Sequence, residues 1–254
     1  MDYHIDRLPS GLLIFKITRA EKRNAVNFKV MEGLQEAIDR AKSSDVRALV
    51  ITGEGDQAFC SGGDLSVFHA LRTEEEAYRM LSKMGEVLYN LAVLPKPTIA
   101  LINGTAVGGG CEIATACDFR IAKIGAKLGF IQGSLAITTG WGGGTLLFER
   151  IRASHALKLL AEASIYRAEQ LDQIGFINQV IDEANEVEAE RFLEKELSIQ
   201  SGVLSAYKQI QIRKWEASRL RERIMQEVRE CAVLWAKDEH HQAVDTFLNG
   251  KNKR

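Results

Sequence analysis

Charge of either sign is not in surplus: 33 Lys and Arg against 34 Asp and Glu leave a formal net charge of −1. That balance gives no electrostatic footprint for nucleic acid or an anionic membrane, though it leaves room for a local basic patch around one phosphorylated ligand. A basic run with interleaved aromatics is missing too, which argues against RNA or DNA as a partner. Cysteine is sparse. Cys60, Cys111, Cys117 and Cys231 form no CxxC pair and have no accompanying histidine spacing, so neither a zinc site nor a disulfide framework is indicated and small buried thiols are expected. No stretch approaches the apolar length of a membrane span, and Met1-Asp2-Tyr3-His4 lacks the basic and apolar regions of a leader. A reducing cytoplasm is the expected location, with no bound metal.

What is present suits a globular chain. Its 254 residues are 46% hydrophobic and 26% charged, enough to bury a core without disulfides. Residues 2–7 and 11–17 alternate as two strands around a turn at Leu8-Pro9-Ser10-Gly11. A polar loop at 20–27 then leads into a helix with Phe28, Met31, Leu34, Ile38 and Ala41 at helical spacing. Strands are expected at 46–52, 98–102, in a pair at 119–124 and 127–130, and at 177–181; a helix is expected at 74–93, stopped by Pro95 and Pro97. From about Ser154 the charges alternate with Leu, Ile, Val and Ala, and 185–200 and 203–247 read as amphipathic helices.

The chain is organised around residues 98–119. An apolar run from Ile99 to Ile102 meets Asn103-Gly104, then Gly108-Gly109-Gly110, then Glu112 and an apolar helix start. A second strand, glycine turn and helix-like segment runs from 46 through Ala58-Phe59-Cys60-Ser61-Gly62-Gly63-Asp64-Leu65, and a third glycine turn lies at Thr138 to Thr145. The first N–H groups of a helix have no partner within it, and glycine admits a close approach to them. One such turn is as well explained by tight packing of a helix on a strand. Two of them can supply one N–H each to a single oxygen, an oxyanion hole, which stabilises charge developing on a thioester carbonyl by several kcal/mol.

At these motifs the chain resembles the crotonase superfamily, the enoyl-CoA hydratase/isomerase family. The matching segments are Ile51-Thr52-Gly53 with Ala58 to Leu65, Ile102 to Ala114 with Cys117-Asp118, then Trp141 to Thr145 and Ala156 to Leu160. The resemblance implies an α/β fold of the ClpP/crotonase-like kind, a spiral of repeated strand-strand-helix units with a helical C-terminal portion. It implies a spiral core at 1–190 and a helical portion at 191–254 for packing and trimerisation, in a trimer or dimer of trimers. Carried over residue by residue, it makes Gly63 and Gly109 the oxyanion donors and Glu112 the catalytic carboxylate. Lys22, Arg23 and Ala25 fall in the segment that meets the nucleotide end of coenzyme A, and Asp64 and Leu65 where backbone groups contact adenine. Phe247 matches an aromatic that in relatives lies near the adenine of an adjacent subunit, with the following basic residue displaced to Lys251 or Lys253. No cofactor is implied beyond coenzyme A as part of the substrate.

Several of these residues also have plain structural readings. Lys22 and Arg23 can be solvated loop charges. Glu112 can complement its own helix dipole. Gln132 and Ser134 can orient a water or a carboxylate, or be polar wall residues; Trp141 can line the acyl pocket or belong to the core. Asp118 reads as a structural hydrogen-bonding residue, and Ser61 has no histidine partner for nucleophilic catalysis. Family hydratases carry a second glutamate before the third glycine turn, and here Leu128 to Thr138 contains none; no carboxylate occurs between Asp118 and Glu149. Adding water across a double bond is harder with one acid. Decarboxylating a malonyl-type thioester needs an enolate-stabilising hole and one proton donor, so the expectation is an acyl-CoA lyase that decarboxylates an alkylmalonyl-CoA. Segments 117–120, 141–143 and 156–160 also look similar to ethylmalonyl-CoA decarboxylases. The alternatives are an enoyl-CoA hydratase or isomerase, and a catalytically weak acyl-CoA-binding protein.

Overall fold

In the computed structural model, residues 1–251 are described, with side chains through residue 249. Lys253 lies outside the described residues, as does the side chain of Lys251. The opening alternation produces a hairpin: β1 (Tyr3–Arg7) and β2 (Leu12–Ile17) pair antiparallel with Ile5 opposite Phe15. A 3-10 turn at Ala20–Lys22 leads to α1 (Phe28–Ala41), whose N-cap Asn27 accepts from the Val30 N–H. Phe28 is half exposed, while Met31, Leu34, Ile38 and Ala41 are buried.

Three strand-strand-helix units follow. The first is β3 (Ala48–Gly53), β4 (Ala58–Cys60), the single-turn α2 (Leu65–Phe68) and α3 (Glu74–Ala92). The second is β5 (Thr98–Ile102), β6 (Thr105–Val107) and α4 (Gly109–Ala116). The third is β7 (Phe119–Lys123), β8 (Lys127–Gly129), a 3-10 turn at Ile131–Leu135 and α5 (Gly143–Arg150). Within each unit the first strand joins one sheet and the second joins another. The six-stranded sheet runs β1-β2-β3-β5-β7-β10 and the four-stranded sheet β4-β6-β8-β9, parallel except for the β1/β2 and β8/β9 pairs. This is the expected spiral.

The remaining elements are α6 (Ala153–Glu162), β9 (Tyr166–Arg167), α7 (Ala168–Gln173), β10 (Gln179–Ile181), α8 (Glu186–Phe192), α9 (Glu194–Ser198), α10 (Ser201–Ala217), α11 (Leu220–Trp235) and α12 (Asp238–Lys251). Among the described residues no helix is long and apolar enough to cross a membrane.

The near-continuous apolar runs of β3 and β5 follow from coverage on both faces, as parallel sheets require. Leu49 and Ile51 of β3, with Ala100 and Ile102 of β5, face the main core. Their neighbours Ala48, Val50, Ile99 and Leu101 face a smaller core closed by Ala189 and Leu193. Trp215, Leu220, Ile224, Val228 and Cys231 of the C-terminal helices join the main core. Asp118 ties α10 to this body. It accepts from Thr98 and pairs with Arg150 and the buried Lys208. Burial pushes its carboxyl up, but the two cations hold it below the ordinary carboxylate range.

The strands at 119–124 and 127–130 form, but they are not a pair. β7 lies between β5 and β10, and β8 between β6 and β9, because the turn at Gly125 (φ 74°) carries the chain from one sheet to the other. β4, β6 and β9, of two or three residues each, are too short to show a period of two.

Candidate active site

A cavity of about 540 Å³ opens where the first two units meet the third glycine turn and α12. Gly62, Gly63, Gly108, Gly109 and Glu112 line it, together with Gln132 and Trp141. The turns are in contact: a Cβ on Gly62 (φ 93°) would lie 3.2 Å from the Gly109 nitrogen. Val26 bridges the first turn by donating to the Gly62 carbonyl and accepting from the Asp64 N–H, both at 2.8 Å. That ladder leaves the Gly63 N–H out. Gly109 is the first residue of α4, so its N–H has no acceptor within the helix. Among the described residues neither N–H has a backbone or side-chain acceptor. Trp141 lies so close over Gly109 that a Cβ there would come within 2.1 Å of the ring, which fixes glycine at this position.

Glu112 does not serve its own helix. Its Oε2 accepts from the Trp141 N–H at 2.8 Å and the Gly143 N–H at 2.9 Å; its Oε1 accepts from Gln132 Nε2 at 2.9 Å and, more weakly, from the Gly140 N–H at 3.3 Å. The carboxylate is buried at 2% exposure yet lines the cavity. Burial, with the nearby charge of Glu227 second, pushes it up to about 7 against the pull of the three backbone N–H groups. Of its two oxygens, Oε1 is the one free to change partners. Its donors are a side-chain amide and a long backbone bond, whereas Oε2 is held by two short backbone bonds. Among the described residues Gln132 Oε1 is buried with no partner.

The other expected residues spread along the cavity. Lys22, Arg23 and Ala25 stand at its mouth beside Glu21, with Lys22 and Arg23 exposed and Ala25 buried. Arg23 closes the 3-10 turn in the left-handed region (φ 52°) and its carbonyl accepts from the Ser61 N–H, so this loop is fastened to the first glycine turn. Asp64 and Leu65 line the wall, but the Asp64 carboxylate is already engaged: Arg19 donates to it at 2.8 Å and the Ser66 N–H at 3.0 Å. Ser134 is exposed at the rim and donates to the Ile131 carbonyl. Trp141 both lines the cavity and belongs to the core. Phe247 lines the cavity of its own chain, on α12, together with Leu248.

Three features were not expected from sequence. Arg19 links Asp64 to the Ala25 carbonyl and so braces the mouth loop. Phe68, Met80, Leu81, Cys231 and Trp235 make the closed end apolar. Glu227, on α11, is half-buried behind the third glycine turn; its signal was a lone carboxylate among the periodic buried positions Leu220, Ile224, Val228 and Cys231.

This arrangement has known relatives. A family model described as "Enoyl-CoA hydratase/isomerase" matches residues 7–253. The chain belongs to that family. Among its relatives, the mitochondrial methylglutaconyl-CoA hydratase of Mus musculus is 35% identical over 187 residues, covering 73% of this chain and 59% of that protein. The ethylmalonyl-CoA decarboxylase of Gallus gallus is 32% identical over 206 residues, covering 79% of this chain and 69% of that protein. The chain thus spans about three fifths of the mouse relative's length. A crystal structure of enoyl-CoA hydratase from Bacillus halodurans superposes with a TM-score of 0.86 over 97% of this chain and 100% of that one, at 22% identity, which shows the enoyl-CoA hydratase/isomerase fold.

Proposed function

We propose that this chain is an acyl-CoA lyase that forms a thioester enolate, with the Gly63 and Gly109 N–H groups as its oxyanion hole and Glu112 as its acid or base. The observation that carries this reading is two unpaired N–H donors from adjoining turns lining one cavity with a buried carboxyl poised at about 7. Preorganised donors of this kind act on charge that develops in the transition state. A carboxyl balanced near neutrality can both lose and return a proton.

Within that class we favour decarboxylation of an alkylmalonyl-CoA. The C–C bond to the departing carboxylate breaks, and its electron pair moves onto the thioester carbonyl between the two donors. CO2 leaves, and protonated Glu112 delivers its proton to the α carbon. Support comes from the cavity wall, where Glu21 is at the mouth and Asp64 is held by Arg19, so Glu112 is the carboxylate left at the closed end among the described residues. Decarboxylation asks for no second group to activate water. Hydration of a 2-enoyl-CoA is the second reading, favoured by the orphaned Gln132 Oε1, which can accept from a water set beside Glu112.

One assay separates them: incubation with ethylmalonyl-CoA, methylmalonyl-CoA and crotonyl-CoA, following CO2 and enoyl absorbance. Release of CO2 supports decarboxylation, loss of the enoyl band supports hydration, and tight binding without turnover on all three reduces the chain to an acyl-CoA-binding protein. Glu112→Gln is expected to bind acyl-CoA and lose at least about a hundredfold in kcat. Survival within a few fold removes Glu112 from the chemistry.

A further inference from the structure

The third glycine turn is held from two sides. Glu112, from α4, takes the N–H groups of Gly140, Trp141 and Gly143. Glu227, from α11, takes the Thr139 hydroxyl at 2.6 Å, the Gly144 N–H at 3.0 Å and the Thr145 N–H at 2.6 Å. Five backbone donors within six residues are thus shared between two carboxylates, Glu112 buried and Glu227 half-buried. Gly143 and Gly144 leave room for this: a Cβ on the first would lie 2.3 Å from Glu112 Cγ, and on the second 2.6 Å from Thr139 Oγ1 and 3.2 Å from Glu227 Oε1. Only Glu112 reaches the cavity.

The two carboxylates are not equivalent. Gly142 caps α5, so Gly144 and Thr145 are its second and third residues, and Glu227 sits on the free N–H groups at the positive end of that helix. A hydroxyl donor completes its set. Glu112 draws mostly on the turn before the helix, and one of its donors is the side-chain amide of Gln132. Two carboxylates fixed to one turn, one of them buried, do not both ionise freely. The better-placed anion is Glu227, and its charge favours a proton on Glu112.

We propose that Glu227 is a positioning residue for Glu112: from the C-terminal helix it fixes the far half of the turn whose near half holds Glu112, and its negative charge keeps Glu112 in the protonated form that can donate. This rests on the reading of Glu112 as the acid. Among the described residues, the other titratable groups facing the pair are thiols, Cys231 one turn further along α11 and Cys111 beside Glu112 on α4. Burial raises both well beyond the neutral range, so neither supplies charge there. Cys231 donates to the Thr138 carbonyl and packs against the same turn.

The test is a direct titration of the Glu112 carboxyl in the intact protein, by carboxyl carbon NMR or infrared, with Glu112→Gln identifying the signal. Glu227→Gln is expected to lower the Glu112 midpoint by about one pH unit or more. Glu227→Asp, which keeps the charge and shortens the reach, is expected to hold the midpoint closer to the wild type than Glu227→Gln does. A purely structural role predicts the reverse order, with the isosteric amide benign and the shortened acid disruptive. An unchanged midpoint in Glu227→Gln overturns the proposal. Should that variant fail to fold, Thr139→Val carries the test. Removing the hydroxyl donor weakens the Glu227 anion and should move the Glu112 midpoint down by a smaller amount, and no movement overturns the proposal equally. The pH profile of kcat separates this inference from the functional reading. If the midpoint moves and the profile follows, both stand. If the midpoint moves and the profile does not, the coupling stands and Glu112 is not the acid.

Discussion

The three glycine turns occupy equivalent places in three strand-strand-helix units, yet they do opposite things with their backbone donors. The turns at Gly62-Gly63 and Gly108-Gly109 leave N–H groups unpaired at a cavity wall. The turn from Thr139 to Thr145 has its donors taken by Glu112 and Glu227. Glycine makes all three backbones possible. What decides the role of each is whether a carboxylate faces the turn, and that depends on residues far away in the chain. The first two turns are built to receive charge from a ligand, and the third holds the protein's own.

The sharpest way to break this contrast is to empty the third turn. Glu112→Ala strands four donors away from water, and unsatisfied buried donors cost about 1–3 kcal/mol each before any relief from water entering through the cavity. A net loss of about 3–5 kcal/mol is expected, read from urea unfolding. Glu112→Gln should cost about 1 kcal/mol or less. Its amide oxygen can keep Trp141 and Gly143, and Gln132 can rotate to present Oε1 to the new NH2, leaving only the long Gly140 bond unmet. Equal losses in the two variants would mean that the hydrogen bonds to this turn do not stabilise the fold.

The same carboxylate should make stability depend on pH. Its folded value is raised to about 7 from an ordinary 4.5, so the folded chain keeps a proton that the unfolded chain has released. The contribution is therefore fully present below pH 4.5 and disappears as pH rises through 7, by about 3 kcal/mol in all. Glu227 is also raised by burial and acts in the same direction. Unfolding midpoints measured between pH 4.5 and 8 should fall with rising pH once other groups are subtracted, and Glu112→Gln should flatten that trend. A slope unchanged in the variant would assign the effect elsewhere. If protonated Glu112 is the donor in decarboxylation, kcat falls over the upper part of the same range.

Strain placed on an open turn should hurt activity more than stability. Gly62 has φ 93°, and a Cβ there would stand 3.2 Å from both the Gly109 nitrogen and the Val107 carbonyl oxygen. Gly62→Ala is expected to cost about 1–2 kcal/mol in folding while lowering kcat/KM at least about tenfold, because misplaced donors lose their effect on developing charge. Turnover unchanged in a destabilised Gly62→Ala would show that these N–H groups serve packing only.

The spiral was legible because parallel strands buried on both faces read as plain apolar runs, and because a glycine turn precedes the helix of each unit. Glu112, singled out by the family resemblance three residues past Gly109, does line the cavity. The partners of Glu112 were not legible, since Gly140, Trp141 and Gly143 lie about thirty residues on and donate through backbone atoms that carry no side-chain signature. Glu227 was hidden for a related reason. Among the alternating charges of α11 its carboxylate looks like solvent-facing decoration, and only its phase against Ile224, Val228 and Cys231 betrays burial. The separation of the strands at 119–124 and 127–130 into two sheets turns on Gly125, and one left-handed residue leaves no periodic trace.

Lys22 and Arg23 mark the weak end of the comparison, where donors meet solvent instead of a dry wall. Both are exposed at the cavity mouth, and Glu21 beside them offsets part of their charge. Exposed ion pairs contribute about 0.2–1 kcal/mol each and fade with salt. The double variant Lys22→Ala, Arg23→Ala is therefore expected to weaken coenzyme A binding by several fold up to about tenfold at low ionic strength. The loss should shrink as salt is added, and kcat should stay unchanged because neither residue reaches Glu112. Calorimetric titration of coenzyme A at two salt concentrations reads this directly. Unchanged affinity at both would leave the pair as solvated loop charges, with the mouth held by Arg19 and Asp64 alone.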